Sequence, residues 1–150
     1  MNPTALANDD GFSSRRFSLG EKKECTLQVT ALTAPKPLVV KLKEPLTLIP
    51  KTETFVYVTT PLWVGFRYPH QEQCFFEIPS LSLQKSWFGP RTNEGALCLS
   101  CLTRGTIFND DLKKYPLRAM TAIRLNHDGK SAFKLEKLRL PVIYLPLYRQ

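Results

Sequence analysis

Proline is the feature of this sequence that most restricts its fold. Twelve of the 150 residues are proline, and only seven are glycine. Proline lacks a backbone N–H and clashes with the preceding helical turn, so each one ends or kinks a helix. This many prolines rule out long uninterrupted helices, and the chain is expected to fold from short elements.

Segments that alternate apolar and polar residues lie between the prolines and indicate β-strands. Residues 25–32 alternate in this way, and residues 54–60 are rich in β-branched and aromatic side chains. Both patterns are typical of strands with one buried face. Residues 121–125 and 132–140 flank an Asp128-Gly129 turn, and we predict that they form a hairpin.

Turn residues recur about every 8 to 12 positions, a spacing typical of antiparallel sandwiches and barrels. We predict an all-β chain folded as a two-sheet antiparallel β-sandwich, jelly-roll or immunoglobulin-like, with about nine strands. The alternation breaks near Glu136, which indicates a β-bulge. At most one short helix is expected, near residues 109–115, because Asn109 can cap its first turn and Pro116 limits its length.

The two ends of the chain differ in character. Residues 1–20 show no periodicity and are predicted to be a flexible N-terminal tail, followed by one β-sandwich domain over residues 21–150. Residues 142–147 are predicted to form a last strand, and Pro146 places it at a sheet edge. Because an unpaired apolar edge invites pairing with a second copy, a homodimer through this strand is one expectation.

The sequence favours a cytoplasmic protein. No apolar run approaches the roughly 18 residues that a transmembrane span needs. Residues 1–18 lack a signal-peptide pattern, and they carry Asp9 and Asp10 in place of an apolar core. The four cysteines would be free thiols in a reducing compartment.

Three parts of the chain carry a family resemblance. They are residues 83–90 (LQKSWFGP) together with 95–98 (GALC), residues 116–126, and residues 138–148. Together they resemble a small, uncharacterised prokaryotic family, a domain of unknown function best represented among archaea, over roughly residues 45–150. The resemblance implies a β-rich fold and no assigned activity.

Cys98 and Cys101 form a C-x-x-C motif, the one cysteine spacing in the sequence that is found in redox and zinc sites. A structural zinc site needs a second ligand pair, whereas the other two cysteines and both histidines stand alone. On a strand, residues three apart point to opposite faces, which disfavours shared ligation and a disulfide. We therefore expect no metal and no cofactor, with these two cysteines as the alternative candidates.

Catalytic motifs are not found in the sequence. It contains no G-x-S-x-G nucleophile elbow, no P-loop and no dinucleotide fingerprint. His127 and Asp128 fall within a predicted turn, where such side chains are usually solvated. We nominate no catalytic residue, and we expect a protein without enzymatic activity.

An aromatic segment is the first candidate for a binding surface. Trp87 and Phe88 precede a Gly-Pro turn, and Arg91 and Asn93 next to them could add polar contacts to a ligand or partner. Binding residues often lie on loops that a rigid scaffold holds in place. A second candidate pair, Trp63 and Arg67, comes from an earlier strand.

The net charge of +8 leaves three kinds of partner open. We favour a non-enzymatic binding or accessory domain that recognises a protein partner. One alternative is a carbohydrate-binding or hydrolytic sandwich in which Trp63, Trp87 or Tyr57 stacks on a sugar. The other is a domain that binds nucleic acid or anionic lipid through its basic surface.

Overall fold

The computed structural model describes residues 4–7, 13–18, 24–108 and 116–148. The predicted all-β class is confirmed, with nine strands between residues 28 and 140. Among the described residues, the one helical element is a three-residue 3-10 turn, Val142–Tyr144, and no helix is long and apolar enough to cross a membrane. The helix predicted near residues 109–115 lies outside the described residues.

The strands are numbered in chain order. They are β1 Thr4–Ala7, β2 Ser13–Arg16, β3 Gln28–Leu32, β4 Leu38–Leu48, β5 Thr52–Pro61, β6 Trp63–Arg67, β7 Phe76–Pro79, β8 Gln84–Phe88, β9 Ala96–Thr103, β10 Arg118–His127 and β11 Phe133–Leu140. The largest sheet has the order β11-β4-β9-β8, and a three-stranded sheet has the order β3-β6-β7. Two pairs, β10-β5 and β1-β2, complete the arrangement.

Two strands form in the region predicted to be a flexible tail. β1 pairs antiparallel with β2. Phe17, just after β2, packs edge-on against Phe75 with ring centroids 5.2 Å apart, and it lies 5.3 Å from the Phe76 ring. This aromatic contact brings residues 16–18 against the three-stranded sheet.

A bent two-stranded ladder links the sheets. β4 pairs antiparallel with β11, and β5 pairs antiparallel with β10, so residues 38–61 run beside residues 118–140. The two bends lie side by side, because the Lys51 backbone N–H donates to the His127 carbonyl at 2.8 Å. Strands that pass between sheets through such bends form the corners of a sandwich.

The predicted hairpin of residues 121–125 with residues 132–140 is therefore wrong. β10 and β11 belong to different sheets, and each pairs with a strand from earlier in the chain. The Asp128-Gly129 turn leads from β10 to β11 in a different sheet, and it does not reverse the chain into a hairpin. Lys51 holds this turn, since its Nζ donates to the Asp128 carbonyl at 3.0 Å.

The pairing of β4 has two features of its own. Its register with β11 shifts between Leu135 and Lys137, which confirms the bulge predicted near Glu136. Four residues of β4, 42–45, then face the single residue Glu136, and Pro45 in that stretch has no N–H to donate. On its other edge β4 pairs with β9 in parallel, which differs from an entirely antiparallel sandwich.

The predicted C-terminal strand is also wrong. Residues 142–144 form a 3-10 turn in which the Tyr144 N–H donates to the Pro141 carbonyl, and residues 146–148 have no ladder partner among the described residues. The prolines at 141 and 146 cannot donate to a ladder, so they interrupt strand pairing at both ends of the segment. The edge strand on which the homodimer rested is not formed.

The core lies between the sheets and is built from facing strand positions. Val40, Val56 and Val58 are fully buried, and Trp63 packs in the same cluster. Leu38 lies at the centre, paired with Leu140 on one side and Leu99 on the other. Polar side chains also enter this region, where the Thr59 and Thr103 hydroxyls form a 2.7 Å hydrogen bond.

Replacing Leu38 with alanine tests this core. The side chain is 0% exposed, so Leu38→Ala should lower the free energy of unfolding by about 2–5 kcal/mol through lost burial and the cavity left behind. The control is Leu102→Ala on β9, where the leucine is 55% exposed and the cost should stay near 0.5 kcal/mol. Denaturant unfolding measures both, and equal losses would contradict the assignment.

Candidate functional site

An open groove separates β3 from β10. Its volume is about 1010 Å³, and residues 29–31 of β3 and 118–122 of β10 form two of its sides. Residues 60–62, where the chain passes from β5 to β6, line the groove between them. The C-terminal residues 145–148 complete the wall.

The groove is bounded by strand edges rather than by sheet faces. Among the described residues, β3 has one partner strand, β6, and β10 has one partner strand, β5. Side chains of a strand alternate between faces, yet consecutive residues of both strands line the groove, which places their backbone edges along it. An edge of this kind presents a row of N–H and C=O groups that can pair with another chain.

In the part of the chain that the structure describes, the groove lining is mostly apolar. Its polar side chains are those of threonines 30, 33, 60 and 121, Tyr148 and the charged Arg118. Its Nη1 donates to the Thr59 hydroxyl at 3.1 Å, and Thr59 bonds in turn to Thr103. These two hydrogen bonds, the second of them buried, hold the guanidinium at the first residue of β10.

The C-terminal segment forms an exposed apolar rim. Tyr148 is 84% exposed, and Leu145 and Leu147 are also exposed beside it. Val142 anchors the segment, since it is buried in the core cluster. Sequence reasoning missed this groove, because it takes shape only once β10 pairs with β5 and not with β11.

The predicted Trp87 surface is divided between two faces of a sheet. Register with β9 places Trp87 opposite Leu97 and Phe88 opposite Ala96, so the two aromatic side chains point to opposite sides. The Trp87 Nε1 donates to the Arg91 carbonyl at 2.9 Å. A Cβ added to Gly95 would lie 2.8 Å from the indole, so the ring packs directly on this glycine. The indole therefore contacts the loop that joins β8 to β9.

The other nominated residues lie in different surroundings. Arg91 and Asn93 are exposed in the loop between β8 and β9. Trp63 is only 7% exposed and belongs to the core, which leaves little of its surface for a partner. Arg67 is half-buried on β6, and its buried Nε meets no hydrogen-bond acceptor among the described residues.

Cys98 and Cys101 are both buried free thiols on β9. Cys101 lies opposite Val40 in the core, whereas Cys98 lies opposite Ser86 on the other face. Burial raises the pKa of the Cys101 thiol, and the positive charge of Arg118 offsets part of that rise. No group of three or more His, Cys, Asp or Glu side chains in the described part of the chain could hold a metal ion.

Fold and geometry together define a class of protein, an all-β chain with a groove between two strand edges that have no ladder partner among the described residues. The chain belongs to the family described as protein of unknown function (DUF432), whose model matches residues 7–150. This confirms the resemblance to a family of unknown function and extends it toward the N-terminus. Searches of the curated proteins and of the solved structures gave no significant match.

Gly95→Ala tests the packing of Trp87. The added methyl group would displace the indole and the Phe88 carbonyl, which an added Cβ would approach to 2.6 Å. We expect a red shift of tryptophan emission and a loss of about 1–3 kcal/mol in unfolding free energy. Asn93→Ala, in the same loop, should change neither quantity, and unchanged emission in Gly95→Ala would refute the contact.

The burial of Cys98 and Cys101 predicts slow thiol chemistry. In a variant with Cys25→Ser and Cys74→Ser, an aromatic disulfide reagent should label the remaining thiols at least about tenfold more slowly in the native protein than in denaturant, because both sulfur atoms are buried away from the reagent. Mass spectrometry counts the labels. Rapid native labelling, or a Cys98–Cys101 disulfide formed without unfolding, would contradict the structure.

Proposed function

We propose that this chain is a non-enzymatic binding domain that recognises a protein partner by taking an extended segment of it into the groove between β3 and β10. The observation that carries the proposal is the pair of strand edges along the groove. An extended peptide can pair with an exposed edge through main-chain hydrogen bonds, while side-chain pockets supply specificity.

The size of the groove supports a short peptide segment. Residues 118–122 of β10 line it, and five extended residues span about 17 Å at roughly 3.4 Å each. A segment of about five residues would therefore cover this edge. Its side chains on one face would meet apolar residues such as Val29, Met120 and Leu147.

Charge supports a segment that is apolar with an acidic group. Among the described residues that line the groove, Arg118 supplies the positive charge and none is acidic. Apolar walls weaken the screening of a charge by water, so the field of the guanidinium extends into the groove. A carboxylate near one end of the bound segment would complement it.

Two further expectations belong to this proposal. The domain acts without a cofactor, since its role is recognition rather than chemistry. It works in the cytoplasm, where a reducing environment maintains thiols such as the free Cys98 and Cys101.

Selection from a random peptide library tests the proposal. We expect peptides enriched on the wild-type protein to alternate apolar residues and to carry Asp or Glu. Ala122→Arg should weaken their binding at least about tenfold, or about 1.4 kcal/mol, because Ala122 is exposed and lines the groove. Methylation of alternate peptide nitrogens should also abolish binding, because it removes the donors that pair with an edge.

The matched control is Ala132→Arg. Ala132 is exposed outside β10 and does not line the groove, so this variant adds the same side chain and should keep wild-type affinity. Peptides that bind both variants equally, or that tolerate methylation at every nitrogen, would reject the groove as the binding site.

A further inference from the structure

The four-stranded sheet has an outer face that the groove does not use. Residues directly opposite each other on neighbouring strands share a face, so the register assigns its members. Lys41 lies opposite Lys137, and Val39 lies opposite Arg139. Toward β8, Ser86 lies opposite Cys98, and Phe88 lies opposite Ala96. Leu38, Val40 and Cys101 lie on the opposite face of the same sheet, which packs in the core.

This face is positively charged. Lys41, Lys137 and Arg139 are all exposed, and no acidic residue occupies a paired position on the face between residues 38 and 42. Glu136, at the bulge beside it, forms an ion pair with Lys134 at 3.3 Å. The three cations therefore meet no opposing charge at the paired positions of this part of the sheet.

Two of these cations lie directly opposite each other and repel. Like charges directly opposite on paired strands are destabilising, yet Lys41 and Lys137 occupy such a pair. The Lys137 ammonium lies 5.9 Å from the centroid of the Phe88 ring. β4 and β9 lie between β11 and β8 in the strand order, so this contact joins the two outermost strands of the sheet.

Two small side chains on this face are buried between its charged positions. Val39 is 2% exposed and Cys98 is 0% exposed. The stem of a lysine can pack on apolar surface while its ammonium stays in water. Lys137 holds its charge beside the half-buried Phe88 ring.

We propose that this outer face binds single-stranded nucleic acid, with its phosphates on Lys41, Lys137 and Arg139 and a base on Phe88. A polynucleotide strand combines negative charge with flat aromatic bases, and sheets that bind one combine basic and aromatic side chains. A base stacked on Phe88 places its phosphate beside the Lys137 ammonium. Phosphate contact also offsets the repulsion within the Lys41–Lys137 pair.

Fluorescence anisotropy with a labelled oligothymidylate of about 20 nucleotides tests this proposal. The site variant, Lys41→Gln with Lys137→Gln, should bind at least about tenfold more weakly at low salt. The control, Lys36→Gln with Lys130→Gln, removes two exposed charges outside the face and has the same net charge. Its affinity should stay near that of the wild type. Equal losses in the two variants would overturn the proposal in favour of attraction by net charge.

Salt dependence and stacking provide separate readouts. Three phosphate contacts predict a slope of log affinity against log salt of roughly −2. In the site variant, the magnitude of this slope should fall by about 1.4. Phe88→Leu should weaken oligothymidylate binding roughly fivefold or more and leave inorganic polyphosphate binding unchanged. An oligouridylate of the same length shows whether RNA or DNA is preferred. An unchanged affinity in Phe88→Leu would refute the stacking role.

Two competitors exclude other anionic partners. Polyglutamate should displace the oligonucleotide only at much higher concentration, because it carries no flat base. Vesicles of phosphatidylserine and phosphatidylcholine should bind the site and control variants equally. If polyglutamate displaces the oligonucleotide at a similar concentration, or if vesicles bind the site variant more weakly than the control variant, the face recognises acidic polypeptide or membrane instead. The proposal then fails. Thermal unfolding verifies that all variants are folded.

Discussion

The antiparallel pairing of residues 38–61 with residues 118–140 holds the sheets of this protein together. The chain makes one bent ladder from four strands, and both of its bends lie at the same corner. Core residues from both halves, such as Val40 and Val56, can then face one cluster. Because β10 is bound to β5 through this ladder, its other edge is directed toward β3 and the groove.

The same pairing explains why the molecule has two distinct surfaces. The groove is an edge feature, where backbone groups and apolar side chains lie together along β3 and β10. The outer face of the four-stranded sheet is a side-chain feature, with three cations on β4 and β11 and one aromatic ring on β8. The proposed peptide site and the proposed nucleic-acid site use different strands, so variants of Ala122 and of Lys137 separate them.

Local sequence patterns predicted the fold class but not the pairing. Alternation and proline spacing were sufficient to predict an all-β chain, and the break near Glu136 correctly indicated the bulge. The Asp128-Gly129 turn was misassigned, because a turn motif favours a local hairpin and does not report that β4 and β5 offer longer partners. The segment at 142–147 was also misassigned, since its apolar residues bury Val142 without forming a ladder.

The candidate site was harder to predict from the sequence than the fold class, for a related reason. Trp87 and Phe88 are adjacent in sequence, but a strand sends their side chains to opposite faces. Trp63 resembled a surface aromatic and is part of the core. Strand edges have no residue signature, because every residue other than proline contributes the same N–H and C=O groups. The groove therefore depends on which strands pair, and only the tertiary structure specifies that.

Hydrogen exchange at the amides of β3 and β10, followed residue by residue, tests the central claim that two strand edges border the groove. On an edge strand, alternate amides point to the partner strand and to the open side. We expect alternating slow and fast exchange along residues 118–127, and the same alternation along residues 28–32. Uniformly slow exchange along either strand would show that its second edge is already paired, and the groove would then not lie between two open strand edges.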